Sequence, residues 1–326
     1  MENNMKQTMS PIRDLKPSLA SLEEDVMSGL KKDQKSLPPK LFYDAEGSRL
    51  FNQITELPEY YLTRAEKGIL ITHQNDIATF IGSSSTLVEL GCGNEEKISL
   101  ILSGLENVSD YIPVDISLSA LQETADKIKN DNPLLSVQGI RADYTESLSF
   151  LSGISQNKKV ISFLGSTLGN FEAEPRELFL NQLAQELRLE DGLLIGIDLK
   201  KPKRILEAAY NDSNGITARF NKNVLQRINK ELDANFQLNN FSHLACYNEE
   251  DQRIEMYLVS ERIQTVEICG ESFHFQKGER IHTENSYKFS VDEFEKTLHH
   301  IGLRLRKVWT DQENHFAVTY VEPLNV

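Results

Sequence analysis

Short hydrophobic runs and amphipathic stretches alternate along the middle of the chain. The hydrophobic runs have the length of buried strands and cover residues 86–90, 111–115, 136–141, 158–164 and 192–199. Helical periodicity lies between them, most clearly at 118–130 and 173–188. Strands that alternate with helices at this spacing indicate a parallel sheet of βαβ units, with right-handed crossovers that cover both faces. The pattern therefore predicts an α/β fold.

The alternation stops near residue 200 and returns at residue 290. The segment between them predicts two helices, at 204–210 and 220–233, and a pair of strands at 253–262 and 263–270. Where the pattern returns, Ser290 and Glu293 have the spacing of a capping box, and Gly302 suits the end of the helix that this box begins. A last strand is expected at 315–323.

The N-terminal part is more polar. Residues 1–36 predict loosely packed helix, the pair Pro38 and Pro39 stops it, and a short helix follows at 47–56. Thr63 and Glu66 have capping-box spacing and predict a helix that begins near Arg64.

We therefore predict two domains, each built from two pieces of the chain. Residues 62–199 and 287–326 form the α/β domain with its Rossmann-like sheet. Residues 1–61 and 200–286 form a second, mixed α+β domain that binds the substrate. The second domain is thus an insertion joined by the N-terminal segment.

Composition narrows the possible functions. The chain has 326 residues and a formal net charge of -14, which disfavours nucleic acid as a partner because phosphate binding needs clustered Lys and Arg. The three cysteines are far apart, and no histidines have metal-ligand spacing, so neither disulfides nor a metal site is expected. There is no hydrophobic run of membrane-spanning length and no signal peptide. We expect a cytoplasmic monomer that acts on a small molecule.

A glycine turn follows the first central strand, in the sequence VELGCG that ends at Gly93. It does not fit the phosphate loop of nucleotide hydrolases, because the glycine and lysine spacing differs. It does not fit the dinucleotide fingerprint either, because Glu96 occupies the third glycine position and would place negative charge beside a pyrophosphate. S-adenosylmethionine (SAM) has no phosphate, and its cationic groups tolerate a nearby carboxylate.

Two acids farther along support a SAM site. Asp115 ends the second strand, where a carboxylate can bind both ribose hydroxyls, and Asp143 ends the third, where an acid can accept the adenine amino group. Tyr144 can stack on the adenine. A G-x-G turn with acids at these two strand ends resembles the first motifs of class I SAM-dependent methyltransferases. The alternative is that both aspartates merely cap the helices that follow.

Longer motifs extend the resemblance over nearly the whole chain, from Ser36 onward. They are SLPPKLFYDAEGSRLFNQITELPEYYLTRAE, LVELGCGNEEK, FLGSTLGNF, RIEMYL and TENSYKF. Together they resemble the histidine-specific N-alpha-methyltransferases of ergothioneine biosynthesis. The resemblance implies SAM as co-substrate, no metal, and conversion of L-histidine to its trimethylated betaine, hercynine, in three transfers.

The resemblance also implies roles for individual residues. The cofactor-binding positions are Gly91, Lys97, Asp115, Asp143 and Tyr144. The histidine-binding positions are Tyr60, Asn170, Tyr210, Glu284 and Ser286, with Tyr43, Gly165, Phe220 and Met256 at pocket positions. Cys92 replaces a Ser and Tyr144 a Phe of some members, and Asn285 lies between the two imidazole-binding residues.

The expected chemistry is a direct displacement in which an amine attacks a sulfonium methyl group, so the enzyme mainly supplies alignment. Asn170 can bind the substrate carboxylate and amine, and Tyr43 is a candidate to accept the amine's proton. Glu284 and Ser286 share one face of a strand and can bind the two imidazole nitrogens. Aromatic residues that include Tyr43 and Tyr60 either form a core patch or partly enclose the growing quaternary ammonium.

Three alternatives remain open at this point. One is methylation of another amino acid, such as the prenylated tryptophan of fungal relatives. The second is a SAM-binding protein without turnover. The third is a nicotinamide oxidoreductase, which Glu96 disfavours.

Overall fold

The computed structural model describes residues 9–17 and 21–324. Its strands are β1 (Ile12–Asp14), β2 (Thr86–Leu90), β3 (Asp110–Asp115), β4 (Ser136–Val137), β5 (Gly139–Arg141), β6 (Lys159–Phe163), β7 (Gly192–Asp198), β8 (Phe241–Asn248), β9 (Arg253–Ser260), β10 (Gln264–Ile268), β11 (Glu271–Phe275), β12 (Arg280–Tyr287), β13 (Leu303–Thr310) and β14 (Phe316–Pro323). Its α-helices are α1 (Leu22–Leu30), α2 (Ala45–Thr55), α3 (Tyr61–Thr72), α4 (Gln74–Ile81), α5 (Glu96–Leu102), α6 (Leu118–Asp131), α7 (Ala173–Gln185), α8 (Lys203–Tyr210), α9 (Ile216–Leu232) and α10 (Val291–His300). None of these helices is long and apolar enough to cross a membrane.

A large sheet forms the centre of the molecule, in the order β1-β5-β3-β2-β6-β7-β14-β13, with β4 beside β3. The strands from β1 to β7 run parallel, while β14 is antiparallel to β7 and to β13. Every residue of β2, β6 and β7 is buried, as expected for strands with helices on both faces. The predicted α/β class is confirmed.

The core has a part on each face of this sheet. Leu87 and Val160 belong to one hydrophobic cluster, and their neighbours Val88 and Ile161 belong to the other, because successive side chains of a strand point to opposite faces. The first cluster continues into α9 and the smaller sheets, for example to Val224. The two parts of the molecule therefore share a continuous core.

A three-stranded antiparallel sheet, β12-β9-β8, and a separate hairpin, β10-β11, make up most of the segment between β7 and β13. Both strands predicted at 253–270 are present, but the prediction that they pair with each other is wrong. Cys269 and Gly270 both have positive φ, 49° and 81°, which favours a tight two-residue turn and pairs β10 with β11. This leaves β9 to pair with β8 and β12.

The N-terminal segment serves both parts of the molecule. Residues 35–37 join the edge of β12, where Leu37 N donates to the carbonyl of His282 at 2.8 Å. In contrast, β1 pairs with β5 at the edge of the large sheet. The prediction of helix throughout 1–36 is therefore wrong at Ile12–Asp14, which form a strand of the large sheet; residues 1–8 and 18–20 are outside the described part.

Two helix starts were predicted from capping boxes. Ser290 accepts from Glu293 N at 3.2 Å and begins α10, and Gly302, with φ 78°, follows its end, as predicted. The box at Thr63 and Glu66 is wrong, because α3 begins at Tyr61 without a side-chain cap. The carboxylate of Glu66 instead binds groups of the sheet edge described next.

Candidate active site

The glycine turn after β2 leaves space at the carboxyl edge of the sheet. Gly91 has φ 71°, and a Cβ there would lie 3.1 Å from the Tyr144 hydroxyl. Gly93 has φ 49°, and a Cβ there would meet no atom within 4 Å. The first glycine therefore has a φ that favours glycine and little room for a side chain, and the second borders open space, which suits the close approach of a cofactor.

Asp115 points back to this turn. One carboxylate oxygen accepts from Ser117 N at 2.9 Å, and the other is 3.5 Å from Gly93 N and 3.8 Å from the Cys92 sulfur. Burial raises the pKa of Asp115. The N-cap of α6 is Ser117 and not Asp115, so the capping alternative does not account for this carboxylate.

Asp143 and Tyr144 follow β5 beside the same turn. One oxygen of Asp143 accepts from the backbone and hydroxyl of Thr145, at 2.9 and 2.6 Å, and its second oxygen has no partner within the described residues. The Tyr144 ring packs edge-on against Phe163, with centroids 5.7 Å apart. Its pKa is raised by burial and by the two aspartates. These groups fit the ribose, adenine and cationic portions of SAM.

Lys97 and Gly165 both bind the carboxylate of Glu66, which the sequence predicted to cap the start of a helix. The Lys97 ammonium lies 2.7 Å from Glu66, which is fully buried, and Gly165 N donates to both Glu66 oxygens at 2.8 and 3.0 Å. A Cβ on Gly165 would lie 2.9 Å from the Lys97 ammonium. Glu66 therefore ties α3, α5 and the loop after β6 together. The available signal was an acid among apolar positions of α3, Leu62 and Ile69.

Aromatic rings from several elements pack together beside this edge and form a group that we call the aromatic wall. Tyr43 lies 6.1 Å from Phe220 and 6.0 Å from Phe51, and Tyr60 lies 6.1 Å from Tyr210, all as edge contacts between ring centroids. Phe51 links the two pairs, at 6.4 Å from Tyr60 and 6.0 Å from Phe220. The sequence reasoning missed Phe51. It named the other four.

Tyr43 lies near candidate residues for the cofactor, such as Tyr144, and near candidate residues for the substrate, such as Glu284. The residue as a whole is 47% exposed. The protein around its hydroxyl nevertheless raises the pKa of Tyr43, and the Glu284 carboxylate raises that pKa further, with smaller effects from Tyr144 and Tyr210. A phenol with a raised pKa keeps its proton at neutral pH. The role of Tyr43 as the group that accepts the amine's proton stays a prediction.

Glu284 and Ser286 share one face of β12 and are 9% and 3% exposed. A bulge at Thr283 shifts the register of β12 just before them, and Met256 pairs with Glu284 from β9. No donor from the described residues reaches the Glu284 carboxylate. Burial raises its pKa to about 7, against an opposing effect of the Lys288 ammonium.

Asn285 faces away from these two residues. Its amide donates to Glu172 at 2.5 Å, and its oxygen lies 2.8 Å from the His282 ring nitrogen. Glu172 also pairs with Arg253 at 2.8 Å. Asn285 thus helps to fasten the loop after β6 to β9 and β12, and it does not line the pocket.

Asn170 closes the short 3-10 helix Thr167–Asn170 in that loop. Gly169 allows the helix to approach β12, because a Cβ there would lie 2.9 Å from the Tyr287 carbonyl oxygen. The Asn170 side chain has no hydrogen-bond partner in the described part of the chain. Its amide is therefore available to a ligand close to β12.

A buried charge cluster lies behind Ser286, and the sequence reasoning did not find it. The Lys288 ammonium is 2.8 Å from Asp198, and both side chains are fully buried. Asp198 also pairs with Lys201 at 2.5 Å and accepts from the Tyr61 hydroxyl at 2.8 Å. Lys288 donates to Ser286 at 2.7 Å, and Ser286 and Tyr210 are 2.8 Å apart. The cluster therefore supports two candidate substrate-binding hydroxyls.

The candidates thus fall into two adjoining sets. The first set lies at the ends of β2, β3 and β5 and consists of Gly91, Asp115, Asp143 and Tyr144, with Lys97 and Gly165 at the border of the set. The second set lies around β12 and the aromatic wall and consists of Tyr60, Tyr210, Phe220, Met256, Glu284 and Ser286. Within residues 9–17 and 21–324, no group of three or more His, Cys, Asp or Glu side chains could hold a metal ion.

A family model described as "Histidine-specific methyltransferase, SAM-dependent" matches residues 22–323. The histidine N-alpha-methyltransferase of Mycolicibacterium smegmatis is 40% identical over 304 residues, which cover 92% of this chain and 94% of that protein. Ergothioneine biosynthesis protein 1 of Neurospora crassa is 32% identical over 289 residues, or 86% of this chain and 32% of that protein.

A more distant relative has a different substrate in its name. The 4-dimethylallyltryptophan N-methyltransferase easF of Claviceps purpurea is 27% identical over 326 residues, or 91% of this chain and 94% of that protein. Among solved structures, the CcbJ methyltransferase of Streptomyces caelestis aligns with a TM-score of 0.45 at 11% identity, over 78% of this chain and 90% of that one.

Proposed function

The chain belongs to the family of histidine-specific, SAM-dependent methyltransferases, and from this premise we propose that it methylates the α-amino nitrogen of L-histidine. We further propose three successive transfers, which give hercynine in the first step of ergothioneine biosynthesis. The substrate would lie between the edge of the large sheet and β12.

The observation that carries the choice of histidine is the Glu284 carboxylate, which is buried and has no donor among residues 9–17 and 21–324. Burying a carboxylate without a donor is costly, so a ligand that supplies an N–H relieves the cost. An imidazole supplies one and also offers a second nitrogen, for which Ser286 lies two residues away on the same strand face. A site built to bind such a polar group rejects analogues that lack it by factors of roughly 10⁴.

The other end of the amino acid would meet Asn170 and Tyr60, while Tyr210 is hydrogen-bonded to Ser286 at the imidazole end. An amide offers both donors and an acceptor, so Asn170 can bind the substrate carboxylate and orient the amine. The Tyr60 hydroxyl keeps its proton, because burial raises its pKa well above the ordinary value, and it can donate. These contacts would hold the amine in line for displacement, which is the main contribution an enzyme makes to this reaction.

SAM, when bound, supplies a methyl group already activated on a positively charged sulfur. Gly91, Asp115, Asp143 and Tyr144 would hold it, and Lys97 would fix the border of the site through Glu66. We propose that residues 62–199 and 287–326 carry this half-site, and that 1–61 and 200–286, apart from β1, complete the histidine pocket.

Three transfers require the amine to end as a quaternary ammonium, which is a cation without a donor hydrogen. In the aromatic wall, the rings of Tyr43, Phe51 and Phe220 would attract such a cation through a ring face, by roughly 0.5–2 kcal/mol, whereas the positive ring edges would not. We propose that this wall retains the mono- and dimethylated intermediates. Tyr43 would then act through its ring and as a relay for released protons toward water.

The test is incubation of the protein with SAM and an equimolar mixture of the common amino acids, followed by mass spectrometry. Trimethylated histidine as the only methylated product is the expected result. Asn170→Ala removes an amide that has no partner in the described part of the chain, so this variant should fold but lose turnover, and it serves as the inactive comparison. Methylated tryptophan, or SAM consumption without methylated histidine, would refute the proposal.

A further inference from the structure

The buried ammonium of Lys288 has used all of its hydrogen-bonding capacity. It lies 2.8 Å from Asp198, 2.7 Å from the Ser286 hydroxyl and 3.3 Å from the Tyr210 hydroxyl. An ammonium has three donor hydrogens and no acceptor. Ser286 and Tyr210 therefore both act as acceptors toward Lys288, whichever way their own hydrogens point.

The two hydroxyls also bind each other, at 2.8 Å. They have two hydrogens between them, and one of these fills their mutual bond. If Tyr210 donates to Ser286, the hydrogen of Ser286 is left over; if Ser286 donates, the hydrogen of Tyr210 is left over. In either arrangement the pair presents one O–H hydrogen to the space beyond it.

We propose that Lys288 is a positioning residue, which makes Ser286 and Tyr210 a fixed hydrogen-bond donor toward the substrate. The substrate atom that faces this pair must then be an acceptor, while the atom that faces Glu284 must be a donor. A neutral imidazole meets both demands, with one bare nitrogen and one N–H. This inference rests on the proposed function and assigns a specificity role to a residue that does not itself touch the substrate.

Asp198 holds Lys288 in place and is itself fixed from two sides. Its backbone N–H donates to the Ser166 hydroxyl at 2.9 Å, and Tyr61 donates to its carboxylate at 2.8 Å. Buried charges persist when they are paired and hydrogen-bonded in this way. The donor geometry at Ser286 is therefore built on a rigid support.

Lys201 provides a matched control. It pairs with the same carboxylate at 2.5 Å, its side chain is 2% exposed, and it donates to Tyr61 at 2.7 Å. Within the described residues it makes no hydrogen bond to Ser286 or Tyr210. Removing either lysine leaves the Asp198 carboxylate with one ammonium and the Tyr61 hydroxyl, so both variants disturb the charge cluster in a similar way. Only the Lys288 variant also removes the donor to the Ser286 and Tyr210 hydroxyls.

The experiment measures kcat and KM for histidine, the Kd of SAM, and the unfolding temperature for Lys288→Met, Lys201→Met and the wild-type protein. Lys288→Met should raise the KM of histidine roughly 2- to 10-fold, the range for a hydrogen bond between neutral groups, because the hydroxyl pair would no longer be fixed as a donor. Its SAM Kd should stay near the wild-type value. Lys201→Met should lower the unfolding temperature similarly but leave the KM near wild type.

Two further variants keep the test decisive. Lys288→Gln retains an N–H donor and should have an intermediate KM, which also covers the case in which Lys288→Met does not fold. In a Ser286→Ala background, Lys288→Met should raise the KM much less than it does alone. Equal KM values for the Lys288 and Lys201 variants, with an active wild-type protein, would overturn this inference alone. A wild-type protein without activity on histidine would overturn the proposed function as well.

Discussion

Replacing Glu284 by glutamine should stabilise the free protein above pH 7 and, at the same time, weaken histidine binding. Burial raises the pKa of Glu284 from an ordinary 4.5 to about 7. Below pH 4.5 the carboxyl is protonated in both the folded and the unfolded chain, and its burial has no ionisation cost. Between pH 4.5 and 7 only the unfolded chain ionises, so stability falls as pH rises and the cost is complete above pH 7.

The size of this cost follows from the pKa difference. From 4.5 to about 7, at roughly 1.4 kcal/mol per pH unit, it amounts to about 3 kcal/mol at pH 8. Glutamine has a similar shape and cannot ionise, so it avoids this term but still has a buried amide to satisfy. The net gain in the free energy of unfolding should therefore be about 1–3 kcal/mol at pH 8 and near zero at pH 4.5.

Urea unfolding of the ligand-free protein at several pH values measures the effect. Glu255→Gln is the control, because Glu255 is also a buried glutamate of the same sheet, 8% exposed. Unlike Glu284, Glu255 has partners, because Tyr257 donates to its carboxylate at 2.6 Å and Arg253 at 2.9 Å. Burial would raise the pKa of Glu255, but these hydrogen bonds and the charge of Arg253 outweigh burial and lower that pKa. Its stabilising contribution is present above its ordinary pKa, so glutamine at 255 should destabilise the protein at pH 8.

Histidine binding completes the test. In calorimetry at pH 8, Glu284→Gln should raise the histidine Kd roughly 10- to 100-fold, because it removes a charged acceptor from the imidazole N–H. The SAM Kd should not change. If Glu284→Gln lowers stability at pH 8, as Glu255→Gln should, then Glu284 has a stabilising partner and the reasoning about an unpaired carboxylate is refuted.

Three further predictions concern the cofactor side and the aromatic wall. Asp115→Asn should raise the SAM Kd roughly 10- to 100-fold in calorimetry, and an unchanged Kd would exclude a cofactor contact. Gly91→Ala should cost about 1–2 kcal/mol in unfolding free energy for its φ of 71°, and should weaken SAM binding in calorimetry, because the new methyl group would lie 3.1 Å from the Tyr144 hydroxyl and displace that ring. Tyr43→Phe should slow the first methyl transfer, measured in single turnovers, by much less than the roughly 100-fold expected for loss of a general base. It should change the ratio of di- to trimethylated product, and an unchanged ratio would argue against the aromatic enclosure.

Features that depend on neighbouring residues were predictable from the sequence. The positions of Asp115 and Asp143 follow from where two strands end, because parallel strands present their carboxyl ends at one edge of the sheet. The shared face of Glu284 and Ser286 follows from the two-residue repeat of a strand. The bulge at Thr283 precedes both residues and leaves this relation intact.

Features set by partners far along the chain were not predictable. Asp198 and Lys288 are separated by α8, α9 and the strands from β8 to β12, and no local pattern indicates that they pair. Glu66 had the spacing of a capping residue, but Gly165 N and the Lys97 ammonium bind it and α3 begins elsewhere. A local hydrogen bond worth about 1 kcal/mol is readily replaced by a buried charged one.

The ion pair of Asp198 and Lys288 also marks where the chain leaves the large sheet and where it returns. Phe289 N donates to the Asp198 carbonyl at 2.8 Å, and Lys200 N donates to the Phe289 carbonyl at 2.9 Å, so the two crossing points touch. An excursion whose ends meet can be exchanged in evolution without separating the parent sheet, as inserted domains commonly are. A lineage could in this way give one methyl donor a new acceptor molecule. Any segment inserted at this position would lie next to the buried ammonium of Lys288, which would orient hydroxyl groups of the new segment.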